Sequence, residues 1–284
     1  MCRLFGFRSV VPAAVHPALV TEKNSLLIQS RVHKDGWGIA AYGGEPLPLV
    51  AHGVGPAHSD PDFERVSSRV SSHTVVAHVR QASVGAVELR NSHPFLHGRW
   101  SFVHNGTLHE FAKHRAAVEA LISPVFRPHI KGTTDTERCF YIFMSRLAAR
   151  HAIDRQVPVD GVARALAETM TLVSSITDDA QGRSAMNFLV TDGEVMVATR
   201  RNRTLLVSTG PRSNGAGLPQ PGTQVEQLIV ASESLCGGPY WVPVEEEDII
   251  GVDARLVFHR WRVPELAGTD LFPPVTPGTP RDAA

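Results

Sequence analysis

The chain has 284 residues, with 28 Lys and Arg residues against 28 Asp and Glu residues and a hydrophobic fraction of 43%. This composition is typical of a soluble globular protein of one large domain or two small ones. The zero net charge gives no electrostatic reason to expect nucleic acid or an anionic membrane as partner, and no apolar run approaches the roughly 18 residues that span a bilayer. The three cysteines match no CxxC spacing, which predicts a reduced, cytoplasmic protein.

The chain begins Met1-Cys2, and a small residue at the second position favours removal of the methionine. Removal would leave a thiol and a free α-amine on Cys2, so the amine could act as general base for its own side chain. A cysteine on a frayed terminus is one alternative. A signal peptide is another, because Arg3 and Arg8 precede an apolar stretch at 10–20, although prolines interrupt that stretch.

Strands are predicted where apolar residues alternate or run together, at 39–42, 74–79, 100–104, 186–190, 194–199, 227–231 and 256–261. Helices are predicted where apolar residues recur at helical spacing, at 60–70, 111–122, 134–148 and 160–170. Asp192-Gly193 indicates a tight hairpin between two of these strands. Thr134 and Glu137 form a capping-box pattern at the third helix, and Asp160 is the predicted cap of the fourth.

These strands and helices come in blocks rather than in strict βαβ alternation, which favours an α+β fold. The segment 210–223 is rich in Gly, Pro, Ser and Asn and predicts a long surface loop. We divide the chain into one domain at 1–260 and a proline-rich C-terminal tail at 261–284.

Three groups near the ends of predicted elements suit the binding of an amino acid. Asn105-Gly106 could be a hairpin turn, but helix-patterned sequence follows it, and its side-chain amide and main-chain N–H are suitable oxyanion donors. Arg80 at a strand end suits either a carboxylate or a surface ion pair. Asp135 either complements the helix dipole or holds an ammonium group. Together, a guanidinium and a carboxylate specify an amino-acid head group.

The fourteen histidines raise a metal-binding alternative. His109-Glu110 with His114 imitates the HExxH zinc motif, but the second histidine stands five residues on instead of four, which places it off the required helix face. We therefore predict neither a metal nor another cofactor.

Six segments resemble, in this order, the glutaminase domain of the class II glutamine amidotransferases, which are N-terminal-nucleophile hydrolases. The segments are 1–2, 34–39, 77–80, 91–95, 104–106 and 134–137. The resemblance covers about residues 1–260. It is greatest to stand-alone members with a DGWG turn, a subgroup similar to the γ-glutamyl hydrolase of ergothioneine synthesis. It implies a four-layer αββα sandwich with two mostly antiparallel sheets.

The resemblance also implies a role for each site residue. Cys2 would be the nucleophile, and Asn105 and Gly106 would form the oxyanion hole. Arg80 would hold the α-carboxylate of the substrate, and Asp135 would hold its α-amine.

Two further positions come from the same comparison. Better-known members often have Trp and then Ala-Thr after the arginine, whereas this chain has Gln81-Ala82-Ser83. Ser83 is therefore a second candidate for the carboxylate, and Gln81 leaves the side-chain specificity open. His93 matches a histidine of the family, to which we assign structural support only.

The implied activity is hydrolysis of a γ-glutamyl amide, either glutamine or a larger γ-glutamyl conjugate, through a thioester on Cys2. Full amidotransferases join this domain to a synthase that uses the ammonia. Nothing after about residue 260 can be one, so such a synthase would be a separate subunit. The alternative is a catalytically silent scaffold that binds a metabolite or a partner protein, against which the complete set of site residues argues.

Overall fold

Two antiparallel sheets lie face to face in the computed structural model, which describes residues 2–45, 47–210, 217–237 and 240–267. The strands are β1 (Arg3–Ala14), β2 (Trp37–Tyr42), β3 (Leu49–Gly53), β4 (Ser71–Val79), β5 (Phe95–His97), β6 (Trp100–Thr107), β7 (Ala185–Thr191), β8 (Met196–Thr199), β9 (Leu206–Ser208), β10 (Gln227–Ala231), β11 (Val242–Pro243), β12 (Asp248–Val252) and β13 (Phe258–Arg262). The helices are α1 (Leu26–Gln29), α2 (Pro61–Ser67), α3 (Phe111–Ala120), α4 (Asp135–Ala148), α5 (Val159–Thr177) and α6 (Val263–Ala267).

The layers follow from the faces that are apolar. The seven-stranded sheet has the order β11-β9-β10-β1-β4-β2-β3, and the six-stranded sheet has the order β13-β12-β8-β7-β6-β5. Leu4 and Val76 of the first sheet pack against Val103 and Leu189 of the second. Helices α4 and α5 cover the outer face of the six-stranded sheet, while α1 and α2 cover that of the other. The α+β prediction and the αββα layering are confirmed.

Local signals placed most helices and the Thr134 cap correctly, but the second half of its capping box and the Asp160 cap differ from prediction. The Thr134 hydroxyl accepts a hydrogen bond from the Glu137 amide at 3.2 Å, as a capping box requires. The Glu137 carboxylate, however, accepts from the main chain of Lys131 and Gly132 rather than from Thr134. The prediction that Asp160 caps its helix is wrong: α5 begins one residue earlier, after a proline, and Asp160 lies in its first turn.

Two strands extend beyond their predicted ends because a neighbouring strand pairs with the extra residues. β6 continues to Thr107 because Asn105 and Gly106 pair with Asn187 and Met186 of β7, which excludes the hairpin alternative. β13 ends at Arg262, one residue beyond the predicted strand, and α6 follows it, so regular structure passes the predicted domain end at 260. Residues 268–284 of the predicted tail and 211–216 of the predicted loop lie outside the described residues. The hairpin at Asp192-Gly193 is confirmed, but its loop spans residues 192–195 instead of two residues, because Thr191 pairs with Met196.

Among the residues that the structure describes, no helix combines the length and apolarity needed to cross a bilayer.

Gly38 on β2 marks a close approach between the sheet and the segment before β5. A Cβ at this position would lie 2.0 Å from the His93 carbonyl oxygen and 2.5 Å from Cδ2 of His52. The first of these atoms belongs to the backbone, so it cannot move aside by a change of rotamer.

Replacing Gly38 by Ala should lower the free energy of unfolding by about 3 kcal/mol, because the backbone must shift to admit the methyl group. Guanidinium chloride denaturation measures the change. Gly43→Ala is the matched control, since a Cβ at Gly43 meets no atom within 4 Å. Equal midpoints for Gly38→Ala and the wild type would contradict the close approach.

Candidate active site

Cys2 lies immediately before β1, a central strand that pairs with β4 on one side and β10 on the other. Arg3 pairs with Val79, so Cys2 is next to the chain that leaves β4. The Gln81 main-chain N–H donates to the Cys2 sulfur at 3.4 Å, and the thiol lies 3.4 Å from the Gln81 carbonyl oxygen. Only 8% of Cys2 is exposed, so the thiol is held inside the protein.

The electrostatics of this position favour the neutral thiol. Burial raises the pKa of Cys2, while the Gln81 hydrogen bond and the charge of Arg80 lower it and the charge of Asp135 raises it again. The net direction is upward from the ordinary value. The charges of Arg80 and Asp135 both act on this sulfur, which indicates that the structure brings these two predicted site residues near Cys2.

Asn105 and Gly106 lie on β6 of the opposite sheet and are tied to the strand of Cys2. The Asn105 side-chain amide donates to the Ser232 hydroxyl at 3.0 Å, and the Leu4 amide donates to the same oxygen at 3.0 Å. A Cβ on Gly106 would lie 2.0 Å from the Ala185 carbonyl oxygen, so only glycine fits there. Ser232 thus couples the predicted oxyanion donor to the residue two positions after the nucleophile.

Arg80 lies at the end of β4 with only 2% of its surface exposed. Its Nη1 donates to the Ala86 carbonyl at 3.0 Å, and its Nη2 donates to those of Val84 and Gly85 at 3.0 and 3.2 Å. The guanidinium therefore organises the loop at 84–86, a contact that the sequence did not predict. Burial lowers the pKa of Arg80. Its binding of a substrate carboxylate stays a prediction.

The Asp35-Gly36 turn supports the chain around Arg80. The Asp35 amide donates to the Arg80 carbonyl at 2.9 Å, and the Arg80 amide donates to the Gly36 carbonyl at 2.8 Å. The Asp35 carboxylate then accepts from the Ala82 amide at 2.8 Å. The DGWG segment thereby fixes the main chain that contacts the Cys2 sulfur.

Asp135 is the first residue of α4 and is buried. Its Oδ2 accepts from the Leu108 amide and its Oδ1 from the Thr136 amide, both at 2.9 Å. These bonds fix the carboxylate just beyond the end of β6. Each carboxylate oxygen can accept a further hydrogen bond, so the predicted contact with a substrate ammonium group is compatible with this position.

Ser83 is placed less centrally than the other predicted residues. Its hydroxyl is exposed and hydrogen-bonds the Thr107 hydroxyl at 2.7 Å, so it joins the chain after Arg80 to the last residue of β6. This contact supports the edge of the site. A role for Ser83 in binding a carboxylate stays a prediction.

His93 stacks on His78, with ring centroids 4.0 Å apart, inside a buried group that includes His104. The His78 ring bonds the His104 carbonyl at 3.2 Å, and the His104 ring bonds the Thr136 hydroxyl at 3.0 Å and the Ala185 carbonyl at 2.8 Å. Within the described residues, neither ring nitrogen of His93 has a hydrogen-bond partner. The position of His93 agrees with the structural support that we assigned to it.

Ser232 and the linking role of the His104 ring were not predicted from the sequence. His104 carried a signal, because it directly precedes Asn105, but its partners come from α4 and β7. Ser232 carried none, since nothing in the sequence around it indicates that β10 would lie beside β1. Both contacts appear only when distant strands pair.

The segment that imitates HExxH, which we rejected as a zinc motif, is split by the start of α3. His109 and Glu110 precede α3, whereas His114 lies within it. His109 and Glu110 instead lie near Asp179 at the surface, with one ligand atom from each within 4.8 Å of the others. The His109 ring lies 3.2 Å from the Asp179 carboxylate, and Glu110 pairs with Lys113 at 2.7 Å.

A cleft of about 540 Å³ opens at the other end of the sheets from Cys2. It is lined by Arg8 of β1, Tyr42 at the end of β2 and the Asp192-Gly193 hairpin. Cys2 lies at the opposite end of β1 from this cleft, so the cleft is not part of the candidate site.

A cysteine at the start of a central strand, opposite an Asn-Gly pair in a four-layer αββα sandwich, defines an N-terminal-nucleophile hydrolase fold. The chain belongs to the class II glutamine amidotransferases, because the family model "Glutamine amidotransferases class-II" matches residues 1–216.

Individual relatives agree with this assignment. The chain is 31% identical over 206 residues to the amidotransferase-type protein YafJ of Escherichia coli (strain K12), covering 70% of this chain and 72% of that protein. It is 25% identical over 265 residues to the gamma-glutamyl-hercynylcysteine sulfoxide hydrolase of Mycobacterium tuberculosis (strain CDC 1551 / Oshkosh). This match covers 90% of this chain and 94% of that protein. The solved structure of a glutamine aminotransferase class-II domain protein from Silicibacter pomeroyi shares the fold, with a TM-score of 0.64 and 20% identity. The match covers 92% of this chain and 99% of that chain.

The buried histidines predict a loss of stability in mild acid. Burial lowers the pKa of His78 to about 3 and lowers that of His93 well below its usual value. The folded protein therefore keeps both rings neutral below pH 6.5, where an unfolded chain protonates them, so the free energy of unfolding should fall as the pH decreases from about 6.5. His93→Phe should make this decline shallower by up to about 1.4 kcal/mol per pH unit.

Urea denaturation between pH 7.5 and 5.5 measures both slopes. Phenylalanine keeps the ring stacked on His78 but cannot take up a proton. Identical slopes for the variant and the wild type would show that His93 does not bind a proton on unfolding.

Proposed function

We propose that this protein hydrolyses a γ-glutamyl amide through a γ-glutamyl thioester on Cys2. The observation that carries the proposal is the buried Cys2 thiol near Arg80 and Asp135, with Asn105 joined to the nucleophile strand through Ser232. After removal of Met1, the α-amine of Cys2 takes the thiol proton as the sulfur attacks the carbonyl carbon of the amide.

The remaining steps are assigned to Asn105, Gly106 and the α-amine. The Asn105 side-chain amide and the Gly106 N–H stabilise the negative oxygen of the tetrahedral intermediate. The protonated α-amine gives its proton to the leaving nitrogen, and the C–N bond breaks to leave a thioester. Water then attacks the thioester, releases glutamate and returns the sulfur to its thiol form.

The glutamyl head group is bound by opposite charges. Arg80 binds the α-carboxylate and Asp135 binds the α-ammonium group, which fixes the γ-carbonyl against the sulfur. Both residues are buried, and a buried charge binds an ionic group more strongly than an exposed one does.

The substrate class is a γ-glutamyl amide, and two relatives bear on its range. The Mycobacterium tuberculosis relative is named as a hydrolase of a γ-glutamyl conjugate larger than glutamine, which supports a conjugate as substrate here. This chain covers 26% of the glutamine–fructose-6-phosphate aminotransferase of Caulobacter vibrioides. If ammonia is used for synthesis, we propose a partner subunit as its user. The free thiols of Cys2, Cys139 and Cys236 support a reducing, cytoplasmic location.

Cys2→Ala should reduce glutamate release from glutamine and from γ-glutamylglycine by at least about a thousandfold, because it removes the thiol that forms the proposed thioester. Glutamate release by the purified protein measures this loss. Cys236→Ala is the control, because that half-buried thiol has no role in the proposed chemistry. Unchanged biological activity of Cys2→Ala in cells would instead favour the non-catalytic scaffold that binds a metabolite or a partner.

Retaining Met1, or acetylating the amine of Cys2, should abolish turnover, because either change removes the free amine beside the thiol. Intact mass spectrometry establishes the state of the terminus, and glutamate release is compared between the two forms. The circular dichroism spectra of the two forms control for folding. Full activity of a blocked terminus would refute the role of the amine as base.

A further inference from the structure

An ion pair lies directly beside the nucleophile and has no part in the steps above. Nη1 of Arg3 donates to the Cys2 carbonyl oxygen at 3.0 Å, and Nη2 of Arg3 lies 3.1 Å from the Glu233 carboxylate. The two side chains are 23% and 38% exposed, so the pair reaches the surface while it touches the residue that carries the thiol.

The sheet order places this pair and the proposed head-group site on opposite sides of Cys2. Arg80 follows β4, and Glu233 follows β10. Strand β1, which Cys2 precedes, lies between these two strands. Ser232, the neighbour of Glu233, accepts the hydrogen bond of the oxyanion donor Asn105. The ion pair therefore lies on the β10 side of Cys2, 3.0 Å from its carbonyl oxygen, whereas Arg80 follows the strand on the other side.

The tetrahedral intermediate has four substituents, and the proposed function accounts for three of them. The sulfur comes from Cys2, the oxyanion faces Asn105 and Gly106, and the glutamyl chain extends toward Arg80 and Asp135. The fourth substituent is the leaving nitrogen, to which the proposed function assigns no group of the protein.

We propose that Arg3 and Glu233 form the leaving-group subsite, and that Arg3 selects γ-glutamyl amides whose leaving amine carries a carboxylate. This inference rests on the proposed function. Arg3 is the inner member of the pair because it bonds Cys2, and Glu233 is the more exposed one. A carboxylate close to the scissile nitrogen, as in an α-amino acid, meets the guanidinium of Arg3 in competition with Glu233.

The test compares two substrates of similar size that differ in the charge of the leaving group. γ-Glutamylglycine releases an amine that bears a carboxylate, and γ-glutamylethylamide releases a neutral alkyl amine. The readout is the ratio of kcat/KM for the first substrate to kcat/KM for the second. Arg3→Met should lower this ratio about tenfold. Glu233→Gln should raise it severalfold, because it removes the competing carboxylate.

Arg65→Met is the matched control, because Arg65 forms an exposed ion pair with Asp62 on α2 and should leave the ratio at its wild-type value. Equal losses on both substrates in Arg3→Met would mean that Arg3 only positions Cys2, and would overturn the inference. A ratio that stays at the wild-type value in both Arg3→Met and Glu233→Gln would also overturn the inference. If Arg3→Met fails to fold, Glu233→Gln decides the question alone. If the wild type releases glutamate from neither substrate nor from glutamine, the proposed function falls and the inference with it.

Discussion

The antiparallel pairing of β1 with its two neighbours determines where the groups of the candidate site lie. Arg3 pairs with Val79 of β4, and Phe5 pairs with Ala231 of β10. The residues that follow those two strands therefore flank Cys2. Leu4 packs between the sheets, while Phe5 packs under the outer helices. A slip of one residue would exchange these two faces, so burial on both sides of β1 holds the register and with it the site.

The second constraint is the attachment of the six-stranded sheet to the seven-stranded one. Asn105 bonds Ser232, and the His78 ring bonds the His104 carbonyl, so two polar contacts cross the apolar interior near the site. Buried polar groups are costly unless they are paired, which makes such contacts sensitive to position. They hold β6 against β4 and the end of β10 in one relative arrangement.

The sequence predicted those parts of the molecule whose cause is local. Three examples are the apolar strand before Arg80, the Asp192-Gly193 turn and the Thr134 cap. The sequence pattern that predicts each of them lies within a few residues. The end of β6 was misplaced because β7, eighty residues later, decides how far it extends. The contacts of Arg80 with the loop at 84–86 also escaped the sequence, since the side chain could equally have faced outward.

The αββα layers came from the family resemblance and not from the pattern of hydrophobic residues. That pattern separates strands from helices, but it does not say which strands share a sheet. The roles of Ser83, Arg80 and Asp135 in binding a substrate likewise rest on the resemblance. The structure shows how deeply each of these side chains is buried and which groups of the protein it hydrogen-bonds.

The surroundings of the thiol restrict which base can remove its proton. Because burial raises the pKa of Cys2, the thiol is neutral, and the proposed attack on the carbonyl needs a base. In the described part of the chain, the hydrogen bonds of the sulfur run to the main chain of Gln81, which is no base. Burial and the charge of Arg3 lower the pKa of His33 to about 4, and that of His78 is about 3, so these rings are weak bases at neutral pH. The α-amine of Cys2, with an ordinary pKa of about 8, is the group of matched strength on the same residue.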